Sequence, residues 1–440
     1  MTVTPTEHNA ELLRGHSVSP ASHGQRICIH RGTKQIGGTC IEIEASGSRI
    51  IVDLGLPLDA VEEDPALVPQ ISGLREDDPS LLAIVLSHGH RDHWGLVPKV
   101  RPGIPIVMGR AAERIMRAAA DFVPDGFAPN AWRYLESGKP LQIGPFAITP
   151  HLVDHSGFDA YALEIEAGGR RVFYSGDLRA HGRKSKLFEL MLKEPPKNID
   201  VMLMEGSSLG RLADGERFPT EEALESLFIE RFKTTPGIVL VACSAQNIDR
   251  IVTIYRAAKR TGRTLIVDAY AAEVLKATGY DSIPKPVHGW PNVAVFIPNW
   301  QRIQLLKKGI APIVDSYRGF RLWPEQLAEH APRSVMLFRA SMLRDFERAE
   351  ALTGARVIWS QWDGYLMEGS GAQLKSYCEA QGIPFEIIHT SGHASIADLK
   401  RLAAAVKPKA LVPIHTFEAE QFPALFDNVV LRQDGEWWEV

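Results

Sequence analysis

The sequence predicts an α/β protein with a β-rich first part, an α/β middle part and a C-terminal segment that returns to the first. Three observations carry this expectation. Short strands with alternating apolar residues and glycine-rich turns occupy residues 25–175. From Glu221 onward, strands alternate with helical stretches, as in a small parallel sheet with crossover helices. After about residue 385, a strand, a polar turn, a helix and a further strand end in LVPIHTF.

The elements follow in order. Residues 1–22 form a polar lead-in with no apolar signal core. Strands are expected at 25–31, 39–45 and 48–52, with Gly37-Gly38 and Ser46-Gly47 suited to hairpins. A buried strand at 81–86 precedes a helix near 111–122. Strands at 147–153, 160–167 and 171–175 come next, the last two joined by Gly168-Gly169. The middle part gives a strand at 237–243, a helix at 247–261, a strand at 264–268 and a helix at 271–278. The closing segment gives a strand near Phe385, a turn at 389–395, a helix at 396–406 and a strand at 410–414.

Composition narrows the function classes. With 440 residues, 45% hydrophobic and 23% charged, the chain can bury two or three ordinary cores as a soluble protein. No apolar run is long enough to span a membrane, so no membrane partner is expected. Cys28, Cys40, Cys243 and Cys378 are scattered, which argues against cysteine-ligated zinc and for a reducing, cytoplasmic setting. A net charge of −4 gives no general attraction for nucleic acid, so any such binding needs a local groove.

The stretch LSHGHRDHWG, residues 86–95, concentrates the chemistry. A metal site, a proton relay and a chance cluster on a polar loop compete to explain it. His88 and His90 alternate at a strand end and so aim one way, while Asp92 and His93 on the following turn aim back at the same point. Imidazole and carboxylate are what a borderline cation takes when thiolates are absent. Four ligands cannot close a two-metal site. VDHSGFDAY, FYSGDLRAHG and LVPIHTF each place a His or Asp directly after an apolar run. His155 would complete the first site, Asp177 would bridge both and His415 would complete the second.

This set of motifs resembles the metallo-β-lactamase superfamily, specifically its β-CASP nuclease branch and the ribonuclease J group within it. The resemblance runs from Gly32 to about Phe422. Asp53 in IIVDLGL matches a structural aspartate, the His88–His93 motif the second, His155 the third and Asp177 the fourth. Glu205 in LMEGSSLGR, His393 in HTSGHAS and His415 in PIHTF match the three motifs of the β-CASP branch. The implied fold is an αββα sandwich spanning 23–205 and 385–440, with a β-CASP α/β domain inserted at 206–384. The group usually carries a further C-terminal domain; this sequence runs about 25 residues past His415, and assembly through such a domain is not expected.

The implied activity is hydrolysis of phosphodiester bonds in single-stranded RNA by a hydroxide activated between two zinc ions, with manganese as the alternative metal. DNA is the alternative substrate and a homodimer the assembly considered. Exonuclease action is the group's habit, but Met336–Glu350 lacks its Gly/Ser-rich phosphate-binding run. Asp92 is taken as both ligand and catalytic residue, His393 as general acid and Glu205 as the group that orients it and keeps it protonated. Ser391, Gly392 and Arg179 are assigned to substrate binding; Arg179, Arg183, Lys184 and Lys186 would line a groove, with a solvated loop an expectation at least as strong. Trp300, Tyr317 and Phe320 are candidates for base stacking, with core packing the stronger expectation. Two other classes share part of the pattern. A small thioester or lactam hydrolase needs neither Glu205, His393 nor the long insert, and a metal-free subunit of an RNA-processing complex would have lost ligands.

Overall fold

Strands that bury both faces need cover on both sides, and this requirement organises the first part of the chain. The computed structural model describes residues 24–60, 64–124 and 126–440; the expected lead-in at 1–22 lies outside the described residues. In the strand Ser48–Leu54, Ile50 and Val52 face the centre of a sandwich while Ile51 and Leu54 face outward into a second core. Leu81–Val85 behaves alike, with Ala83 and Val85 inward and Leu81 and Ile84 outward.

Two sheets build that sandwich. The first orders Trp437–Glu439, Arg26–Arg31, Cys40–Ala45, Ser48–Leu54, Leu81–Val85, Ile106–Gly109 and Arg133–Leu135. The second orders Ala410–Ile414, Val201–Glu205, Arg170–Tyr174, Tyr161–Ala167, Phe146–Leu152 and Leu141–Ile143. The helix Arg110–Ala120 covers the outer face of the first sheet through Ala112 and Met116. The helices Ser185–Lys193 and Ile396–Val406 cover the second through Phe188, Met191, Leu399 and Leu402. These layers are the αββα sandwich, with the C-terminal segment woven into both of its sheets.

The third sheet orders Val293–Val295, Thr264–Val267, Ser334–Phe338, Val239–Ala242, Arg356–Trp359 and Phe385–Ile387, all parallel. Helices Glu221–Thr234, Ile248–Arg260 and Ala269–Ala277 pack one face, and Leu343–Arg348 with Gly369–Gln381 the other. The strand Phe385–Ile387 pairs with Arg356–Trp359, so the first residues of the expected return segment complete the sheet of the insert. Strands of three residues, such as Arg133–Leu135 and Leu141–Ile143, were not anticipated, because they are too short to show a period.

The topology also places the chemistry. Arg170–Tyr174, Val201–Glu205 and Ala410–Ile414 lie side by side in parallel, so Asp177, Glu205 and His415 leave the same edge of the second sheet. Ser48–Leu54 and Leu81–Val85 are parallel neighbours in the first sheet, which sets Asp53 beside the start of the histidine motif.

Candidate metal centre

Seven side chains from four distant segments converge in two groups, His88, His90 and His155, and Asp92, His93, Asp177 and His415. Within each group the candidate ligand atoms lie within 4.8 Å of one another. The short helix Arg91–Trp94 aims Asp92 and His93 back at the strand end. It is clamped from outside: Gly38 N donates to Asp92 O, and Leu56 N to Arg91 O. Gly55 is needed for this approach, because a Cβ there would meet Asp92 O at 1.7 Å.

Four of the five rings are held by one nitrogen so that the other faces the cluster; the fifth, His90, turns Nδ1 toward His155 Nε2 at 3.0 Å. Nδ1 of His88 contacts Ser87 Oγ at 3.0 Å, that of His93 contacts Asp53 Oδ2 at 2.7 Å, and that of His155 contacts Gly392 O at 2.7 Å. Nδ1 of His415 contacts Thr39 Oγ1 at 3.0 Å. These contacts fix tautomer and ring orientation, as second partners do for metal-binding histidines. His415 itself adopts φ 51° and Asp53 φ 57°, a left-handed conformation that residues other than glycine seldom take. Such local strain is concentrated at functional positions.

The donor set fits divalent cations. His88 Nε2, His415 Nε2 and Asp177 Oδ1 are buried without a hydrogen-bond partner, an arrangement that is costly unless something else engages them. Burial and the neighbouring rings push His88 and His155 well below the usual histidine range, leaving neutral imidazoles with lone pairs to offer. Burial raises the Asp177 carboxyl, but His415, His93 and His393 outweigh it and hold it well below the carboxylate range. Asp177 Oδ2 lies 3.2 Å from His93 Nε2, 3.7 Å from His415 Nε2 and 3.8 Å from His88 Nε2, so a single oxygen touches both groups.

Beside the cluster, His393 Nδ1 stands 3.3 Å from Glu205 Oε1. Glu205 is fully buried, and its Oε2 accepts from Ser207 N. Burial lowers the His393 pKa, but Glu205 and Asp177 overcome it and hold the ring up to about 8. The turn before it is tied down by its own backbone. Ser391 Oγ accepts from His393 N, Ser391 O from Arg179 and His181, and Gly392 O bonds His155. A Cβ on Gly392 would meet Ser156 Oγ at 2.6 Å, so a side chain there would have to displace Ser156.

Arg179 is not in a substrate groove. It is fully buried, with Nε on Asp154 Oδ1 at 3.3 Å and Nη2 on Asp249 Oδ2 at 2.7 Å. Arg183 pairs with Glu225 and Lys184 with Asp249 at 3.1 Å, so most of this basic run ties the sandwich to the insert. Charges leaving a catalytic loop read alike in sequence whether they meet substrate or a neighbouring domain. Arg179→Ala is therefore expected to cost about 3–5 kcal/mol of stability, the scale for stranding one half of a buried ion pair. Chemical denaturation checks this, and an unchanged midpoint would contradict it. Tyr317 is likewise a core residue, donating to Glu273.

Two family models match the chain: the beta-lactamase superfamily domain over residues 48–227, and the Zn-dependent metallo-hydrolase RNA specificity domain over 385–422. The chain has the metallo-β-lactamase fold, with residues 48–227 matching the superfamily's domain. The first match holds six of the seven clustered residues, and the second holds His393 and His415. Among relatives, Ribonuclease J of Mycobacterium tuberculosis is 23% identical over 424 residues, covering 90% of this chain and 69% of that protein. Ribonuclease J of Helicobacter pylori strain B128 is 22% identical, covering 87% of this chain and 55% of that protein. A crystal structure of a protein of unknown function from Enterococcus faecalis V583 shares the fold. Its TM-score is 0.74 at 19% identity, covering 95% of this chain and all of that one.

Within this metallo-β-lactamase body, several supporting residues were not anticipated from sequence. Tyr174 OH donates to Asp53 Oδ2 at 2.6 Å, and Ser87 donates to the same carboxylate through both N and Oγ. Thr39 holds His415. Ser87, adjoining His88, carried a readable signal; Tyr174 and Thr39 lie far off in sequence and carried none. Asp53→Ala would leave His93 without its anchor. Affinity at the second cation group should fall about 10- to 100-fold, as for other second partners of metal histidines, while the first group changes little. Metal titration followed by calorimetry tests this; equal loss at both groups would show that Asp53 acts on the whole fold. A cavity of about 360 Å³ opens beside His90, lined by Gly89, Arg91, Trp94, Val123, Pro124, Ser244 and Gln246.

Proposed function

We propose that the chain is a metal-dependent ribonuclease hydrolysing phosphodiester bonds of single-stranded RNA, with two zinc ions as its resident metals. The observation that carries this reading is the Asp177 carboxylate in contact with both histidine groups, with the His393–Glu205 pair directly beside it. His88, His90 and His155 would hold one ion, Asp92, His93 and His415 the other, and Asp177 both. When bound, the ions supply Lewis acidity that acidifies water and neutralises phosphate charge.

The chain's own residues do the rest. Glu205 orients the His393 ring through Nδ1 and favours its protonated form, so His393 is placed to deliver a proton to the leaving oxygen. Asp92, with its side chain 19% exposed, is with His90 one of the two members of the cluster that are not fully buried, and is placed to take a proton from the attacking water. The insert, expected at 206–384, would supply the surface opposite the sandwich, and the Ser391–Gly392 turn ties His155 to the segment that carries His393. The similarity to proteins named Ribonuclease J and the RNA-specificity match at 385–422 favour RNA. The four cysteines are buried and unpaired, in keeping with a reducing cytoplasm. Among the described residues, no helix is long and apolar enough to cross a membrane.

Turnover of end-labelled RNA and DNA oligonucleotides, with and without a 5′ phosphate, tests the proposal. Metal-dependent cleavage of RNA is expected. A zinc-loaded protein that leaves RNA intact would end it, and preferential cleavage of DNA would move the substrate assignment to DNA.

A further inference from the structure

Carboxyl ends of parallel strands are where open α/β sheets present ligands, and the insert's sheet turns three adjacent ends toward the metal cluster. Val239–Ala242 leads into Ser244 and Gln246, which share a cavity with His90. Phe385–Ile387 leads into Ser391–His393, against His155 and Glu205. Arg356–Trp359 lies between those two strands, so its loop, Ser360–Met367, follows a strand flanked by one whose loop shares a cavity with His90 and one whose loop contacts His155 and Glu205.

That middle loop carries SQWDGYLM, with two large aromatics in view of solvent. Trp362 is 48% exposed and Tyr365 56%. Their rings meet edge to face at 5.3 Å, and the backbone beneath is fixed by Trp359 Nε1 donating to Trp362 O at 3.1 Å. Tyr365 lies within electrostatic reach of Asp92; desolvation in the cleft and that carboxylate both push its phenol upward. Arg211 is anchored by Nε on Ser207 O at 2.8 Å, and the carboxylates of both Glu205 and Asp363 act on its charge. Aromatic faces held on a short fixed turn, close to a cation and to a hydrolytic centre, have the makings of a stacking platform. Every unpaired base offers a π-face to such a surface, whatever its identity.

We infer that Trp362 and Tyr365 form a stacking shelf at the mouth of the metal cleft that receives an unpaired base of the RNA strand. This rests on the ribonuclease reading above and names how the strand is held there. The shelf grips the base by its face, so it confers preference for single strands without a preference among bases. Paired bases, already stacked in a helix, cannot use it.

The test measures binding and turnover separately, on the full zinc-loaded chain. A fluorescent, nuclease-resistant phosphorothioate oligoribonucleotide reports Kd by anisotropy, and its ordinary counterpart reports KM and kcat. Stacking contributes about 1–3 kcal/mol per base, so Trp362→Ala and Tyr365→Ala should weaken Kd and raise KM by about 5- to 150-fold, with kcat little changed. Tyr365→Phe should keep wild-type affinity. In a set of strands each carrying one abasic residue, one position should reproduce the loss in wild type and add nothing in the alanine variants. Wild-type affinity in both alanine variants, or alanine losses that remain equal on a fully abasic strand, would overturn the shelf. Tight binding with the expected variant losses but no cleavage would keep the shelf and end the ribonuclease reading.

Discussion

Asp177→Ala is expected to abolish hydrolysis and to empty both cation groups together. A single oxygen of this carboxylate lies within 3.2–3.8 Å of ring nitrogens in both groups, and the other oxygen is buried without a partner. Removing it takes away a ligand from each side and the negative charge that offsets repulsion between two nearby cations. Asp92→Ala is the control, because Asp92 belongs to one group only. It should lower the metal content by about half, sparing the ion on His88, His90 and His155. Metal analysis by plasma mass spectrometry after dialysis decides between them. Two full equivalents retained in Asp177→Ala would show that the carboxylate does not bridge.

The second large effect concerns His393. His393→Ala should keep both metals, since His393 belongs to neither group, while cleavage of RNA slows by about a hundred- to ten-thousand-fold, the scale for loss of a general acid. An activated leaving group needs little protonation, so bis-p-nitrophenyl phosphate should suffer far less. Glu205→Gln should show a weaker version of the same split, because it loosens the ring without removing it. Equal losses on RNA and on the activated ester would exclude proton donation and leave His393 as a residue that positions phosphate. Loss of metal in His393→Ala would instead make it part of the scaffold of the cluster.

The cluster was legible in sequence because a metal site needs several ligands at once. His88, His90, Asp92 and His93 announce themselves by spacing, and each of the three distant partners follows an apolar strand. The alternation of elements also gave the insert and its parallel sheet. What sequence could not give was the identity of a charge's partner. Arg179 follows Asp177 by two residues and looks like part of a phosphate groove, yet its partners Asp154 and Asp249 sit 25 residues before and 70 residues after it. The aromatic residues went the same way. Trp300, Tyr317 and Phe320 stood out in the sequence, whereas the exposed pair proposed as the shelf is Trp362 and Tyr365, on a loop that follows the strand between two others in the third sheet.

The strand Ala410–Ile414 pairs with Val201–Glu205 across the whole insert, and this fixes when activity can begin during synthesis. A chain leaving the ribosome has made its first three histidine ligands by residue 93 and Asp177 soon after, but the second cation group waits for His415. At about 5–20 residues per second, the roughly 210 residues from Glu205 to His415 take about 10–40 seconds to make. For that interval the nascent protein lies beside its own message and the ribosome's RNA with its second group incomplete. On the ribonuclease reading proposed above, a chain assembled in this order cannot complete its second group until almost all of the residues shown here have been translated.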